Sequence, residues 1–135
     1  SRLNPYLNFK FGARDAMDFY QSVFGGELTR MTFAEGGMPV DSPAENDKVM
    51  HSQLETPNGF TLMASDVPES MGPPSANGSI SLSGDDDVEL RGYWDKLSDG
   101  ANVLQPLEKA PWGDSFGMLA DRFGVNWMVN ISAKR

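Results

Sequence analysis

The spacing of apolar residues constrains the fold of this chain more than any other feature, because it switches between strand and helix periods. Residues 6–11 (YLNFKF) alternate large and polar side chains, which is typical of a half-buried strand. Between residues 13 and 24 the apolar positions recur at helical spacing, and Gly25 and Gly26 then end the helix. Alternation returns in residues 27–34 (ELTRMTFA). The chain is therefore predicted to begin with a strand, a helix and a second strand.

Two further strands complete the first half of the chain. A polar loop at residues 35–48 leads to strands at 49–56 and 60–65, and an Asn-Gly pair between these strands is a strong hairpin signal. The next segment, residues 67–78 (VPESMGPPSANG), is rich in Pro, Gly and Ser, which is typical of a linker. The first half is thus predicted to be a β-α-β-β-β module over residues 5–66.

The second half repeats this order of elements. A short alternating strand at 79–83 precedes a helix at 88–97, for which Asp86 or Asp87 is the expected N-cap. The remaining strands are predicted at 101–107, 116–121 and 125–131, with a loop containing Trp112 at 108–115. The second module therefore covers residues 79–135.

The repetition also shows in the letters of the sequence. A shift of 65 positions, which carries Met63 to Met128, places the last hairpin of the first half on the last hairpin of the second. We therefore predict a single α+β domain over residues 1–135, built from two βαβββ modules.

Composition excludes several classes of function. Hydrophobic residues make up 39% of the chain, which is enough for a packed core, and the absence of Cys excludes disulfides, thiolate zinc sites and a cysteine nucleophile. Eleven basic and 19 acidic residues give a net charge of −8, which makes nucleic acid an unsuitable partner. There is no long apolar run and no charged-then-apolar leader before the first strand, so we expect a cytoplasmic protein without membrane contact.

Four stretches of the chain carry a resemblance to a known family. They are YLNFKFGARDAMDFYQSVFGGEL, MHSQL, LMASD and WGDSFGMLADRFGVNWMVN, in this order. The chain resembles the PhnB-like branch of the vicinal oxygen chelate superfamily, which includes glyoxalase I, bleomycin-resistance proteins, fosfomycin-resistance enzymes and extradiol dioxygenases. The resemblance implies a curved, mostly antiparallel sheet around a cup-shaped cavity, usually in a homodimer. Some PhnB-like proteins are called demethylubiquinone methyltransferases, but no Gly-rich loop for a nucleotide-like methyl donor occurs here.

The resemblance also indicates where a metal ion would be held. Metal-using members of the superfamily place His, Glu or Asp on the inward faces of the first, fourth, fifth and eighth strands. Tyr6, Met63, Ser79 and Met128 occupy the matching positions in this chain. Phenol, thioether and hydroxyl groups are poor ligands for a hard divalent cation. We therefore expect no metal ligand and no cofactor, with a divalent metal ion as the alternative.

His51 is the single histidine and the one side chain suited to proton transfer near neutral pH without help. On a strand it shares a face with Gln53. His51 could hydrogen-bond a neighbour in the wall of the cup, bind or activate a ligand as a general base, or contribute to a metal site, for which no second His exists. These three interpretations stay open at the level of the sequence.

Strand alternation extends the candidate pocket. Side chains two positions apart on a strand face the same way, and Trp112 and Phe116 could stack over a ligand or pack their loop down. The predicted ligand-binding set is Tyr6, Asn8, His51, Gln53, Met63, Ser79, Ser81, Trp112, Phe116, Met128 and Asn130. This wall of soft apolar groups with a few hydroxyls and amides is typical of small-molecule pockets.

Three functions follow. The first is a metal-independent small-molecule-binding protein of the superfamily, which suits an aromatic and Met-rich wall without metal ligands. The alternative is an enzyme of lyase, isomerase or dioxygenase type that uses His51 as general base, with or without a metal ion. A third is an interaction protein that acts through a homodimer surface or through the loop at 35–48, which is long enough to be a lid or an arm.

Overall fold

The computed structural model describes residues 3–37, 43–68, 72–74 and 76–133. Parts of the predicted loop at 35–48 and of the predicted linker at 67–78 lie outside these described residues. The chain divides into two compact units, Ser1–Asn77 and Gly78–Arg135. The division falls at the end of the predicted linker.

The first unit contains one four-stranded sheet and one long helix. Its elements are β1 (Tyr6–Phe9), α1 (Ala13–Phe24), β2 (Glu27–Thr32), α2 (Phe33–Gly36), a 3₁₀ helix (Pro43–Asp47), β3 (Val49–Glu55) and β4 (Thr61–Asp66). The strand order is β1-β4-β3-β2. The first and last strands pair in parallel and the other pairs are antiparallel.

The second unit repeats this topology. Its elements are β5 (Ser79–Gly84), α3 (Asp87–Leu97), β6 (Asn102–Lys109), β7 (Ser115–Ala120) and β8 (Asn126–Ile131). The order β5-β8-β7-β6 again pairs the first strand in parallel with the last. The predicted α+β class and the two βαβββ repeats are confirmed. Within the described residues no helix is long and apolar enough to cross a membrane.

Each sheet buries one face beneath its helix. In the first unit α1 contacts β3 and β4, and the buried positions of α1 are Ala13, Ala16, Met17, Tyr20 and Val23. The strands contribute Leu7, Leu54 and Ala64 to the same core, each 1% exposed or less. The side of each sheet that faces away from its long helix, α1 or α3, is called the helix-free face. It carries the alternate side chains, among which the predicted pocket residues fall.

The two long helices are capped by different means. The N-cap residue of α1 is Gly12, which has no side chain to offer, and the N–H of Ala13 instead donates to Asp66 Oδ1 at 3.0 Å. In α3 the N-cap is Asp86, which accepts the N–H of Glu89 at 3.0 Å. Asp86 is one of the two residues predicted for this position. Both arrangements place a carboxylate at a helix N-terminus, where it is favourable.

Element boundaries differ from the sequence prediction in several places. The strand predicted over 27–34 ends at Thr32, because Thr32 and Glu35 form a capping box that starts α2. The predicted loop at 35–48 is also not structureless, since a 3₁₀ helix covers Pro43–Asp47. In the second unit β6 runs to Lys109, so the predicted loop at 108–115 is shorter than expected.

Two glycines permit close approaches that a larger residue would prevent. Gly26 has φ +96°, and a methyl group on it would lie 2.8 Å from Thr56 Cα. A methyl group on Gly117 in β7 would lie 2.8 Å from both Leu107 Cα and Trp94 Cη2. The second contact shows that the indole of Trp94 on α3 packs closely against the backbone of β7.

Candidate functional site

The helix-free face of the first sheet brings together five residues of the predicted pocket. Tyr6 on β1 is opposite Met63 on β4, and Met63 is opposite Gln53 on β3. Asn8 and His51 lie on the same face by strand alternation, two residues from Tyr6 and Gln53 respectively. The structure therefore places Tyr6, Asn8, His51, Gln53 and Met63 on one surface. Their binding role stays a prediction.

Tyr6 and His51 make a direct polar contact within this group. The Tyr6 hydroxyl lies 3.2 Å from His51 Nδ1, and the two ring centroids are 5.9 Å apart. Tyr6 is 44% exposed and His51 is half-buried. A hydroxyl on Nδ1 fixes the orientation of the imidazole and leaves Nε2 for another partner. This pair can therefore present one ring nitrogen to a ligand.

The backbone of β1 is also held by a side chain. The N–H of Asn8 donates to Asn77 Oδ1 at 2.7 Å, and Asn77 Nδ2 donates to the carbonyl of Asn8 at 3.2 Å. The carboxamide thus pairs with β1 much as another strand would. Asn77 was not singled out from the sequence, because its partner lies 69 residues away.

The helix-free face of the second sheet carries the predicted serine and methionine positions. Ser81 is opposite Met128, whereas Ser79 is opposite Asn126. In the first sheet Tyr6 is opposite Met63, the repeat counterpart of Met128. The register therefore favours Ser81 over Ser79 as the fifth-strand counterpart of Tyr6. The family resemblance pointed to Ser79 because positions in the sequence alone contain no information on strand pairing.

Trp112 and Phe116 border a groove on the second unit. Their ring centroids are 5.8 Å apart with an interplanar angle of 62°, and Trp112 is 61% exposed. The groove has a volume of about 380 Å³ and is lined by Gln105, Glu108, Lys109, Ala110, Pro111, Trp112, Phe116 and Met118. Of these lining residues the sequence prediction named only the two aromatic ones.

Backbone and side-chain bonds fix the loop that holds Trp112. The N–H of Ala110 donates to the carbonyl of Asp114 at 2.7 Å, and that of Gly113 donates to the carbonyl of Ala110 at 3.0 Å. Asn130 Nδ2 donates to Asp114 Oδ2 at 3.1 Å. The predicted pocket residue Asn130 is thus tied to this loop through Asp114, which the sequence reading did not identify. The groove is bordered by a closed turn.

The residues at the four family positions do not suit a hard divalent cation. Met63 and Met128 offer only thioether sulfur, and the Tyr6 hydroxyl is already within hydrogen-bonding distance of His51. In the described part of the chain, no cluster of three or more His, Asp or Glu side chains could hold a metal ion. The donor chemistry of these positions therefore disagrees with the metal site of metal-using superfamily members.

Two buried carboxylates serve the fold. Asp66 Oδ2 accepts the N–H of Val49 at 2.9 Å, in addition to its bond at the start of α1. Asp121 closes the last hairpin, where it accepts three hydrogen bonds from residues 123, 125 and 127. Because both carboxylates are engaged with the chain itself, we assign them structural roles.

Comparison with known proteins agrees with this fold. Residues 6–129 match the sequence model of the Glyoxalase/Bleomycin resistance protein/Dioxygenase superfamily. Protein YjdN of Escherichia coli (strain K12) is 27% identical over 140 residues, covering 96% of this chain and 94% of that protein.

Solved structures extend the comparison. Protein PA1353 from Pseudomonas aeruginosa superposes with a TM-score of 0.84 at 38% identity, with 99% of each chain covered. A putative 3-demethylubiquinone-9 3-methyltransferase, PhnB protein, from Bacillus cereus has a TM-score of 0.74 at 24% identity, covering 98% of this chain and 100% of that one. The second similarity shows a shared fold and carries no activity. This chain belongs to the glyoxalase/bleomycin resistance protein/dioxygenase superfamily.

Proposed function

We propose that this chain binds a small molecule with a planar apolar part, without the help of a hard divalent cation. The observation that carries the proposal is the groove bordered by Trp112 and Phe116. Its volume of about 380 Å³ falls within the usual range for ligand pockets, about 300–1,000 Å³. An exposed indole beside an edge-on phenyl ring offers a planar ligand a stacking surface.

The polar residues of the groove would orient such a ligand. Gln105, Glu108 and Lys109 on β6 supply an amide, a carboxylate and an ammonium group, and Phe116 and Met118 add apolar lining. A few polar groups on a mainly apolar wall are the usual composition of small-molecule sites. The closed turn at residues 110–114 supports a preformed groove, which reduces the entropy lost on binding.

A thermal-shift screen of planar metabolites and antibiotics, run in EDTA, tests this proposal. Ligands that stabilise the wild-type chain should lose most of their effect in Trp112→Ala, because the stacking surface is gone. Phe11→Ala is the matched control, since Phe11 is 67% exposed and lies in the other unit. Stabilisation that survives Trp112→Ala, or that requires a divalent ion, would contradict the proposal.

The Tyr6–His51 contact favours a second candidate, an enzyme of lyase, isomerase or dioxygenase type. An imidazole oriented by a hydroxyl is a suitable general base, and Asn8 on the same face could donate a hydrogen bond to a developing oxyanion. If a bound compound is converted to product, His51→Ala should abolish the conversion while Phe11→Ala retains it. Conversion that is unchanged in His51→Ala would exclude this mechanism.

We further propose that the protein is a cytoplasmic homodimer. The absence of Cys suits a reducing compartment, and the family resemblance implies the dimer. Analytical ultracentrifugation tests the assembly, since a monomer at micromolar concentration would contradict it.

Deleting residues 38–42, which lie outside the described residues, tests whether the loop at 35–48 is a dimer arm, because the loss of an arm should shift the chain to monomer.

A further inference from the structure

Two methionine sulfurs converge on Gly36 in the first unit. A methyl group placed on Gly36 would lie 2.7 Å from Met50 Sδ and 3.3 Å from Met31 Sδ. Because both distances run to one point, the two sulfurs are at most 6.0 Å apart. Met31 is 44% exposed and Met50 is half-buried. The pair of thioethers is therefore accessible from solution.

An irregularity in strand pairing brings these side chains next to His51. Met31 on β2 is opposite His51 on β3, whereas the next residue, Thr32, is opposite Val49. Met50 therefore has no partner in β2, which makes it the extra residue of a β-bulge. The extra residue therefore stands next to His51 in β3, at the point where β3 crosses from its partner Met31 to its partner Thr32.

The hydrogen bond to Tyr6 prepares His51 to act as a ligand. The Tyr6 hydroxyl lies 3.2 Å from Nδ1, and with Nδ1 protonated this nitrogen donates to the phenol oxygen. The lone pair is then on Nε2. Metal-binding histidines commonly use one ring nitrogen in this way to orient the other toward the metal.

We propose that Met31, Met50 and His51 form a binding site for a soft monovalent cation, Ag⁺ or Cu⁺. Thioether and imidazole groups are the ligands that such ions prefer, whereas they hold hard divalent cations poorly. Methionine has three rotatable bonds, so the two sulfurs can close on an ion from their present separation. The net charge of −8 favours cation approach. This site does not depend on the groove at Trp112, which lies in the other unit.

Silver nitrate in chloride-free buffer is the probe, and the full chain carries ¹³C-labelled methionine methyl groups. Of the eight methionines, only Met31 and Met50 should show large, saturable methyl shifts, and these should reach a plateau at one equivalent of Ag⁺. Shifts spread evenly over the exposed methionines, without a plateau, would overturn the proposal.

Variants identify the ligands by isothermal titration with Ag⁺. Met31→Leu and Met50→Leu should each weaken binding at least about tenfold, as should His51→Ala, and Tyr6→Phe should weaken it by a factor of about ten. Met17→Leu is the matched control, since Met17 is fully buried beneath the sheet and Leu has a similar volume. Gly36→Ala retains all three ligands but places a methyl group 2.7 Å from Met50 Sδ and 3.3 Å from Met31 Sδ, so it should also weaken binding.

If Met50→Leu fails to fold because Met50 is half-buried, Met31→Leu still tests the site, since Met31 is exposed and tolerates the change. Wild-type affinity in Met31→Leu and Gly36→Ala would refute the site. Ag⁺ binding is measured without any small-molecule ligand, so its failure would leave the groove at Trp112 untouched.

Discussion

Replacing Asp121 by Asn should destabilise the second unit although the two side chains have nearly the same shape. Asp121 Oδ1 accepts the N–H groups of Phe123 at 2.9 Å and Val125 at 3.0 Å, and Oδ2 accepts the indole N–H of Trp127 at 2.9 Å. The residue is 5% exposed, so water is largely kept from these donors. If the Asn oxygen retains the two backbone bonds, its NH₂ group faces the indole N–H, donor against donor.

The cost follows from the bonds that are changed. A hydrogen bond to a charged group contributes about 1.5–3 kcal/mol, and a buried donor left without a partner costs about 1–3 kcal/mol. Losing the indole bond and weakening the other two should lower the free energy of unfolding by about 2–4 kcal/mol. That is a large fraction of the roughly 5–15 kcal/mol that stabilises a typical domain.

Urea unfolding followed by far-UV circular dichroism measures this difference. The matched control is Asp99→Asn, which removes an ion pair of 2.8 Å with Arg122 at a side chain that is 79% exposed. Exposed ion pairs contribute about 0–1 kcal/mol, so the control should remain close to wild type. If Asp121→Asn costs no more than Asp99→Asn, the structural role given to Asp121 is wrong.

Three further changes test other parts of the fold. Gly117→Ala should lower the free energy of unfolding by about 1–3 kcal/mol, because the added methyl group meets Trp94. Gly92→Ala, in open space on α3, should raise it by about 0.5–1 kcal/mol. Equal effects of the two changes in urea unfolding would refute the close packing at Gly117. Asp66→Asn should cost about 2–3 kcal/mol, since one backbone N–H loses its acceptor, and a neutral result in the same assay would contradict this. Hydrogen bonds from the backbone and hydroxyl of Thr32 hold the pKa of Glu35 below its ordinary value of 4.5. The ionised Glu35 side chain therefore stabilises the folded chain at pH values above the pKa that it has in the unfolded chain. This stabilisation is lost as the pH falls through the lower pKa that Glu35 has in the folded chain. Thermal unfolding of Glu35→Gln should therefore respond less to acid below about pH 4.5 than that of wild type, and identical pH profiles would oppose this assignment.

Local patterns were sufficient to predict most of the fold. The helix predicted at 13–24 has the bounds of α1, because one apolar stripe and two glycines determine it. The strand predicted over 27–34 was too long because Phe33 continues the alternation, while the capping box of Thr32 and Glu35 takes the backbone into α2. Where two local signals overlapped, hydrogen bonding to the backbone overrode side-chain alternation.

The candidate site was less predictable because it depends on contacts between distant residues. Alternation placed Tyr6 and His51 on one face, but their hydrogen bond joins residues 45 positions apart. The choice between Ser79 and Ser81 required the register of β5 against β8. Similarly, the bulge that skips Met50 cannot be read from residue types, since it arises from pairing between β2 and β3.

The indole N–H signals of the chain offer the most direct test of ligand binding at the groove. In ¹⁵N-tryptophan-labelled protein with EDTA present, titration with a planar compound from the screen should shift the signal of exposed Trp112. The signal of Trp127, which is 2% exposed and bonded to Asp121, should stay in place. A Trp112 signal that does not move while the compound binds, or that moves only when a divalent ion is added, would contradict metal-independent binding at this groove.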